Sequence, residues 1–358
     1  MNRNIPVCSL LDNNFASWTT CTMNILELYS GIGGMHMAFT ESKLPGKIKA
    51  AIEINPTANT IYSHNFPETK LINCNIGGLT TKTIKNLDVN TILMSPPCQP
   101  FTRNGKQCDI KDPRTDSFQH LLNLLPDLNN IENVLMENVK GFESSQMRNI
   151  FIKTLKNCGF VCQEFILSPS QIGVPNSRHR YYCLAKKLPA KFKFETSDQM
   201  METIPFLDVT SESLNCFEIQ DILDNELDLT SYLLPERVLK RRLRVLDVCY
   251  RNSKRSCCFT KSYGRFIEGT GSVFTENQQE QTQKDLKRLK EMNSDSEDYI
   301  ELAQSLHLRF FTPKEVSRLM SFPETFSFPS NLSNRQKYMV LGNSINVKVV
   351  TELIKLLS

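Results

Sequence analysis

Ile25-Leu26-Glu27-Leu28-Tyr29-Ser30-Gly31-Ile32-Gly33-Gly34-Met35-His36-Met37-Ala38-Phe39 decides the fold: a short apolar strand, Ile25 to Leu28, enters a glycine turn and continues into a helix. Glycines there let a ligand approach the backbone at a helix N-terminus, although a tight turn alone explains them as well. Working outward, KIKAAIEIN (47–55), NTILMSPP (90–97) and NVLMENV (133–139) each read as a buried strand ending in turn-forming or polar residues. Helices are expected over Pro56–Asn65, Asp116–Leu125 and Ser144–Cys158. This alternation predicts an α/β fold with a mostly parallel, Rossmann-like sheet covered on both faces. Ligands of such sheets bind outside the carboxyl ends of the strands, where the unusual residues of this chain fall.

The remaining composition sets limits. With 358 residues and 40% hydrophobic content the chain can bury a substantial core. A net charge of only +4 means that any polyanion must be gripped by a local basic face. The 12 cysteines are read as reduced thiols, because disulfide-dense proteins are short secreted domains. Their spacing gives no pair of CxxC motifs, so no metal site is predicted. No run of eighteen apolar residues suits a membrane span, and no secretory signal is read. An intracellular, cytoplasmic monomer is expected, with the nucleus left open.

Residues 1–22 are polar and aperiodic, whereas Met23 begins an apolar run. They are expected to be a disordered extension or a non-native start. Residues 23–187 form the expected first domain. From 188 to 305 the alternation stops and an acidic stretch, Glu218 to Asp228, precedes a basic one, which reads as a smaller second domain. Within it, Asn277 to Asp298 is so polar that a flexible loop is expected. Residues 306–358 return to the first domain, with Tyr338 to Leu357 read as a turn plus an amphipathic helix.

Three pieces carry candidate chemistry. Cys98 sits in Ser95-Pro96-Pro97-Cys98-Gln99-Pro100-Phe101, where three prolines stiffen the backbone around one thiol. Reactive and structural readings of that thiol are evenly matched, because reactivity follows thiolate access. Glu137, in Glu137-Asn138-Val139, ends a strand at the same sheet edge; taken alone it is more simply a helix cap or a surface charge. Arg178 and Arg180 stand two apart in an expected strand, so both would point to one face; alone they would be a solvated pair. On the ligand side, Glu53 suits two ribose hydroxyls, Tyr29 suits stacking on adenine, and Asn343 in Gly342-Asn343-Ser344 suits an amino-acid group, with a helix cap as the bland alternative.

Together the ordered strings LELYSGIGG, AAIEIN, SPPCQPF, ENV, NSRHRYY and LGNSINVKVV resemble the motif series of the DNA cytosine-5 methyltransferases. The resemblance covers Met23 to Ala185 and Phe310 to Ser358, and implies a target-recognition domain inserted between. It implies Cys98 as nucleophile, Glu137 as acid, and Arg178 and Arg180 as substrate-site arginines. It also implies contacts to S-adenosyl-L-methionine from Tyr29, Ile32, Gly33, Gly34, Glu53, Asn75, Ile76, Gly77, Ser95 and Asn343, with S-adenosyl-L-homocysteine as product. Many relatives carry aspartate where Asn75 stands; asparagine can still accept from the adenine amino group through its side-chain oxygen.

The implied chemistry explains the combination. Carbon 5 of cytosine is a poor nucleophile, so a thiolate adds to carbon 6 while an acid protonates or hydrogen-bonds ring nitrogen 3. Both ring faces are needed, so the base must be extruded or already splayed out. Cys257-Cys258-Phe259-Thr260-Lys261, followed by Tyr263-Gly264 and Ile267 to Ser272, resembles the hallmark of the second DNA methyltransferase type. The activity that this implies is methylation of cytosine 38 in the anticodon loop of aspartate tRNA, with weak DNA binding as a further expectation. Glu236 to Arg265 is dense in lysine and arginine with interleaved aromatics, so Lys240, Arg241, Arg242, Cys258, Phe259, Thr260 and Lys261 are expected substrate contacts. A solvated amphipathic helix is the bland reading of that stretch, and a DNA cytosine-5 methyltransferase the alternative function.

Overall fold

The computed structural model describes residues 22–97, 115–207, 215–224 and 228–358. Elements run β1 (Met23–Leu28), α1 (Gly34–Ser42), β2 (Gly46–Glu53), α2 (Pro56–Asn65), β3 (Leu71–Asn73), α3 (Thr81–Lys85), β4 (Thr91–Met94), α4 (Asp116–Leu124), β5 (Asn133–Val139), α5 (Gln146–Asn157), β6 (Phe160–Leu167) and β7 (Arg180–Lys187). Capping side chains set several helix starts: Asn55 accepts from Thr57 and Ala58 ahead of α2, and Ser145 accepts from Arg148 ahead of α5. The three expected helices are present, each within two residues of the reading.

The sheet has seven strands in the order β3-β2-β1-β4-β5-β7-β6. Pairs from β3 to β5 are parallel, while β7 runs antiparallel to both β5 and β6. Side chains alternate between two cores. Ile25, Leu135, Tyr182 and Leu184 pack into one, and Leu26, Leu28, Val134, Met136, Tyr181 and Cys183 into the other. Burial on both sides explains why these strands read as continuous apolar runs.

Register places the strand ends in one row. Ile52, Leu28, Met94 and Met136 are neighbours across β2, β1, β4 and β5. The next residues along those strands are Glu53, Tyr29, Ser95 and Glu137. Strand order reverses at β1, which pairs with β2 on one side and β4 on the other, and this row therefore borders the switch point of the sheet.

Later elements are α6 (Glu236–Arg242), β8 (Val248–Cys249), β9 (Val273–Phe274), α7 (Gln279–Glu291), α8 (Glu297–Ser305), β10 (Arg309–Phe310), α9 (Pro313–Leu319), α10 (Asn334–Asn343) and α11 (Val347–Lys355). The three short strands form a small sheet in the order β10-β9-β8. A separate apolar cluster, including Leu239, Leu243, Val273, Leu289, Tyr299 and Leu306, lies under α6 and α8. α11 packs on α1, where Thr351 Oγ1 donates to the Ala38 carbonyl at 3.2 Å.

One expectation about this lobe is corrected. Residues 277–298, expected as a flexible loop, carry helix α7 and the start of α8. Leu286 and Leu289, three apart, seat α7 on the apolar cluster, while Glu280 pairs with Lys284 along its surface. Two apolar residues at helical spacing hold this helix, and its polarity is that of a solvated face.

Candidate active site

Around the row of strand ends opens a cavity of about 790 Å³, within the size range of ligand clefts. Tyr29, Ile32, Gly34, Glu53, Asn75, Ile76, Gly77, Ser95, Glu137, Arg178, Arg180, Lys261 and Asn343 all line it. Cys98 lies outside the described residues.

The glycine turn forms one wall. Gly33 precedes α1 with φ +86°, a left-handed conformation that glycine adopts without strain, and a Cβ there would collide with the Phe66 ring. Gly33 shapes the turn without lining the cavity. A Cβ on Gly34 would come within 2.6 Å of Ile345 Cγ1, so this glycine permits close approach of the C-terminal segment. The Ser30 hydroxyl is buried in the cavity wall with no partner among the described residues. A buried polar atom of this kind suits a ligand that supplies the missing hydrogen bond.

Glu53 is fixed by its backbone surroundings. Oε2 accepts from Gly31 N at 2.9 Å, and Oε1 accepts from Ile54 N at 2.9 Å and Asn55 N at 2.8 Å. A carboxylate has about four acceptor positions, so two ribose hydroxyls would share what these donors leave. Tyr29 adopts φ +54°, and its hydroxyl lies 3.1 Å from Ser117 Oγ on α4. Ser95 Oγ reaches the Tyr29 carbonyl at 3.5 Å. The side-chain oxygen of Asn75 accepts from Gly77 N at 2.9 Å and caps a short turn, so an adenine amino group would be its second donor.

At the opposite wall Glu137 is buried, with Arg180 Nε 3.3 Å from its Oε1. Burial pushes its pKa up, and the nearby positive charges of Arg180 and Arg178 offset part of that rise. The result favours a carboxyl group able to keep a proton. Asn138 Nδ2 donates to the Pro96 carbonyl at 3.4 Å, tying the end of β5 to the loop after β4.

Arg178 corrects the expectation of two arginines on one strand. Only Arg180 begins β7; Arg178 lies in the preceding loop and is 2% exposed. Its guanidinium donates to the Phe259 carbonyl at 3.1 Å, to the Gly342 carbonyl at 3.2 Å and to the Ser344 carbonyl, while Cys258 Sγ lies 3.4 Å away. Five donors in a fixed fork let one side chain join segments that are far apart in sequence. Cys258 is half-buried; burial raises its thiol pKa, but the adjacent Arg178 and Arg180 lower it further, and the net shift is downward.

The expected substrate contacts divide. Lys261 is exposed and lines the cavity. Phe259 is corrected: it is 1% exposed and packs edge-on against Tyr263 and Phe311, so its ring supports the lobe and is closed to a base. Thr260 abuts Gly342 through its backbone. Lys240 pairs with Glu236 at 2.7 Å and Arg242 pairs with Glu268, whereas Arg241 is exposed with no carboxylate partner among the described residues. Ser30, Ile54, Asn55, Ser117 and His120 also line the cavity and were not picked out. Ile54 and Asn55 directly follow Glu53 and could have been found by proximity; Ser117 and His120 sit on α4 without a local signal.

Comparison with known proteins agrees with this geometry. The family model for C-5 cytosine-specific DNA methylase matches residues 23–358. A tRNA (cytosine(38)-C(5))-methyltransferase of Spodoptera frugiperda is 50% identical over 333 residues, covering 93% of this chain and 98% of that protein. The protein of the same name from Homo sapiens is 40% identical over 388 residues, covering 94% and 99%. A crystal structure of a Spodoptera frugiperda DNMT2 mutant superposes with a TM-score of 0.86 at 50% identity, covering 94% of this chain and 99% of that one. With its switch-point cavity, buried acid and paired arginines, this chain belongs to the C-5 cytosine-specific DNA methylase family.

Proposed function

We propose that the protein methylates carbon 5 of cytosine 38 in the anticodon loop of aspartate tRNA, with Cys98 as covalent nucleophile and S-adenosyl-L-methionine as methyl donor. The observation that carries this reading is the meeting of Glu137, Arg178 and Arg180 in the wall of the same cavity that the glycine turn and Glu53 enter. The names of the relatives and the Cys257 to Lys261 segment beside both arginines support RNA over DNA.

The cofactor fits the residues present: Glu53 would hold ribose, Tyr29, Asn75 and Ile76 would surround adenine, and Ser30 and Asn343 would meet its polar groups. When bound it supplies an electrophilic methyl group on a sulfonium. The chain's own residues do the rest. Cys98 attacks carbon 6 as a thiolate, and Glu137, whose pKa burial pushes up, donates to ring nitrogen 3. Electron density thereby reaches carbon 5, which takes the methyl group. A base then takes the carbon 5 proton, the thiolate leaves carbon 6, and ring nitrogen 3 returns its proton to Glu137. Arg180 orients Glu137 and holds the base, while Arg178 fixes the wall.

Transfer of labelled methyl to purified aspartate tRNA, to the same tRNA with uridine at position 38, and to duplex DNA tests the reading. Labelling confined to the tRNA with cytosine 38 is expected. DNA labelling alone would give the DNA methyltransferase alternative. Cys98→Ala should abolish transfer while leaving cofactor affinity unchanged, and residual transfer would remove Cys98 from the nucleophile role.

A further inference from the structure

Phe266 is 54% exposed, yet the turn that carries it is anchored. Its amide donates to the Ser262 carbonyl at 3.0 Å, and its carbonyl accepts from Thr270 Oγ1 at 2.7 Å. Tyr263, in the same turn, is buried, donates to the Ser272 carbonyl at 2.6 Å and accepts from Phe311 N at 2.9 Å. The ring is therefore held out to solvent by a rigid base. The Arg265 guanidinium lies 5.1 Å over the ring, a cation–π placement.

Two connections give this turn a position. On one side Ser262 follows Lys261, which lines the cavity. On the other, Glu268 pairs with Arg242 at the end of α6, beside the exposed Arg241, which has no carboxylate partner among the described residues. Along the chain and through the Glu268–Arg242 pair, a strip links a cavity-lining lysine, an exposed aromatic and the exposed guanidinium groups of α6. Stacking surfaces alternating with positive charge match single-stranded RNA, whose bases stack and whose phosphates need cations.

We propose that Phe266, capped on one face by Arg265, is the stacking platform for a loop base adjacent to the target cytosine. The strip then carries the neighbouring phosphates on Arg241 and Arg265. This rests on the RNA reading above. Phe266 is a positioning residue: it fixes the loop while the reacting base enters the cavity, and it touches no reacting atom.

The test measures binding of aspartate tRNA by fluorescence anisotropy, alongside the KM values for tRNA and S-adenosyl-L-methionine. Phe266→Ala should weaken RNA affinity on the order of tenfold, the usual scale of one lost base–aromatic stack, and leave the KM of the methyl donor unchanged. Phe266→Trp should restore affinity. Removing bases one at a time beside position 38 should reveal one abasic position at which Phe266→Ala costs nothing further. Unchanged RNA affinity in Phe266→Ala, equal loss of methyl-donor binding, or an abasic series with no coupled position would each overturn the proposal. Phe266-dependent RNA binding without methyl transfer would overturn the RNA methyltransferase reading and leave the platform standing.

Discussion

Tyr62 hydrogen-bonds Oε2 of Glu27 at 2.8 Å, and both side chains are wholly shielded from solvent beneath the glycine turn. His36 joins them: its Nδ1 lies 2.9 Å from the Tyr62 hydroxyl, and its amide donates to Glu27 Oε1 at 3.3 Å. Glu27 thus receives a backbone donor from the first turn of α1, whose capping residue Gly33 has no side chain to offer.

Burial pushes the Glu27 pKa from 4.5 up to about 8 and lowers that of His36 from 6.5 to about 4. For a raised acid, the unfolded chain loses its proton first, so the contribution to stability is full below pH 4.5 and falls as pH rises towards about 8. For His36 the sign is opposite, but its window closes near pH 6.5. Of this pair, only Glu27 still changes the balance between pH 6.5 and 8. Urea unfolding in that range should show a loss of up to about 1.4 kcal/mol per pH unit, and Glu27→Gln should flatten it. An equally steep profile in the variant would place the titrating group elsewhere.

Burial disposes Glu137 towards its protonated form, in which it can serve as the acid. Activity should fall as pH rises through its elevated pKa, because the ionised carboxylate has no proton to give. Glu137→Gln should lower single-turnover rates by about 10²–10⁴-fold with little change in RNA affinity. A rate that survives this change would leave ring nitrogen 3 without need of this acid.

Gly342 tests the joint between the lobes. A Cβ at this position would collide with the backbone of Thr260 and Lys261, where no rotamer change gives relief. Gly342→Ala should destabilise by about 1–3 kcal/mol in thermal or urea unfolding and depress turnover further than stability alone accounts for. Full activity with unchanged melting would mean that the two segments separate freely.

Replacing Lys240, Arg241 and Arg242 together should weaken RNA binding and flatten its dependence on salt. Since Lys240 and Arg242 already face acids, Arg241→Ala alone should account for much of the change in slope. Measuring affinity between low and moderate salt separates the cases, and an unchanged slope would remove this stretch from the interface.

The first lobe was legible because parallel strands buried on both faces read as apolar runs, and their ends carry the polar residues. Glu53, Tyr29, Ser95 and Glu137 fall in one row for that reason. Arg178 was found as a residue but not as a junction, since its guanidinium's partners lie 80 to 166 positions away and no local pattern encodes them. Helix α7 was missed because Leu286 and Leu289 are diluted by charged neighbours. The burial of Phe259 was equally invisible: an aromatic in a basic stretch reads as a stacking surface until its tertiary partners are known.

Arg178 holds Phe259, Gly342 and Ser344 by their main chains, so the segment around Phe259 cannot swing away without unfastening an arginine of the cavity. Here the wall between the lobes behaves as a socket and not as a jaw. Work of deformation then falls on the nucleic acid, and a loop whose bases are already unstacked enters at lower energetic cost than a base pulled from a duplex. Selectivity for a flexible substrate would in this way be written into the stiffness of the protein.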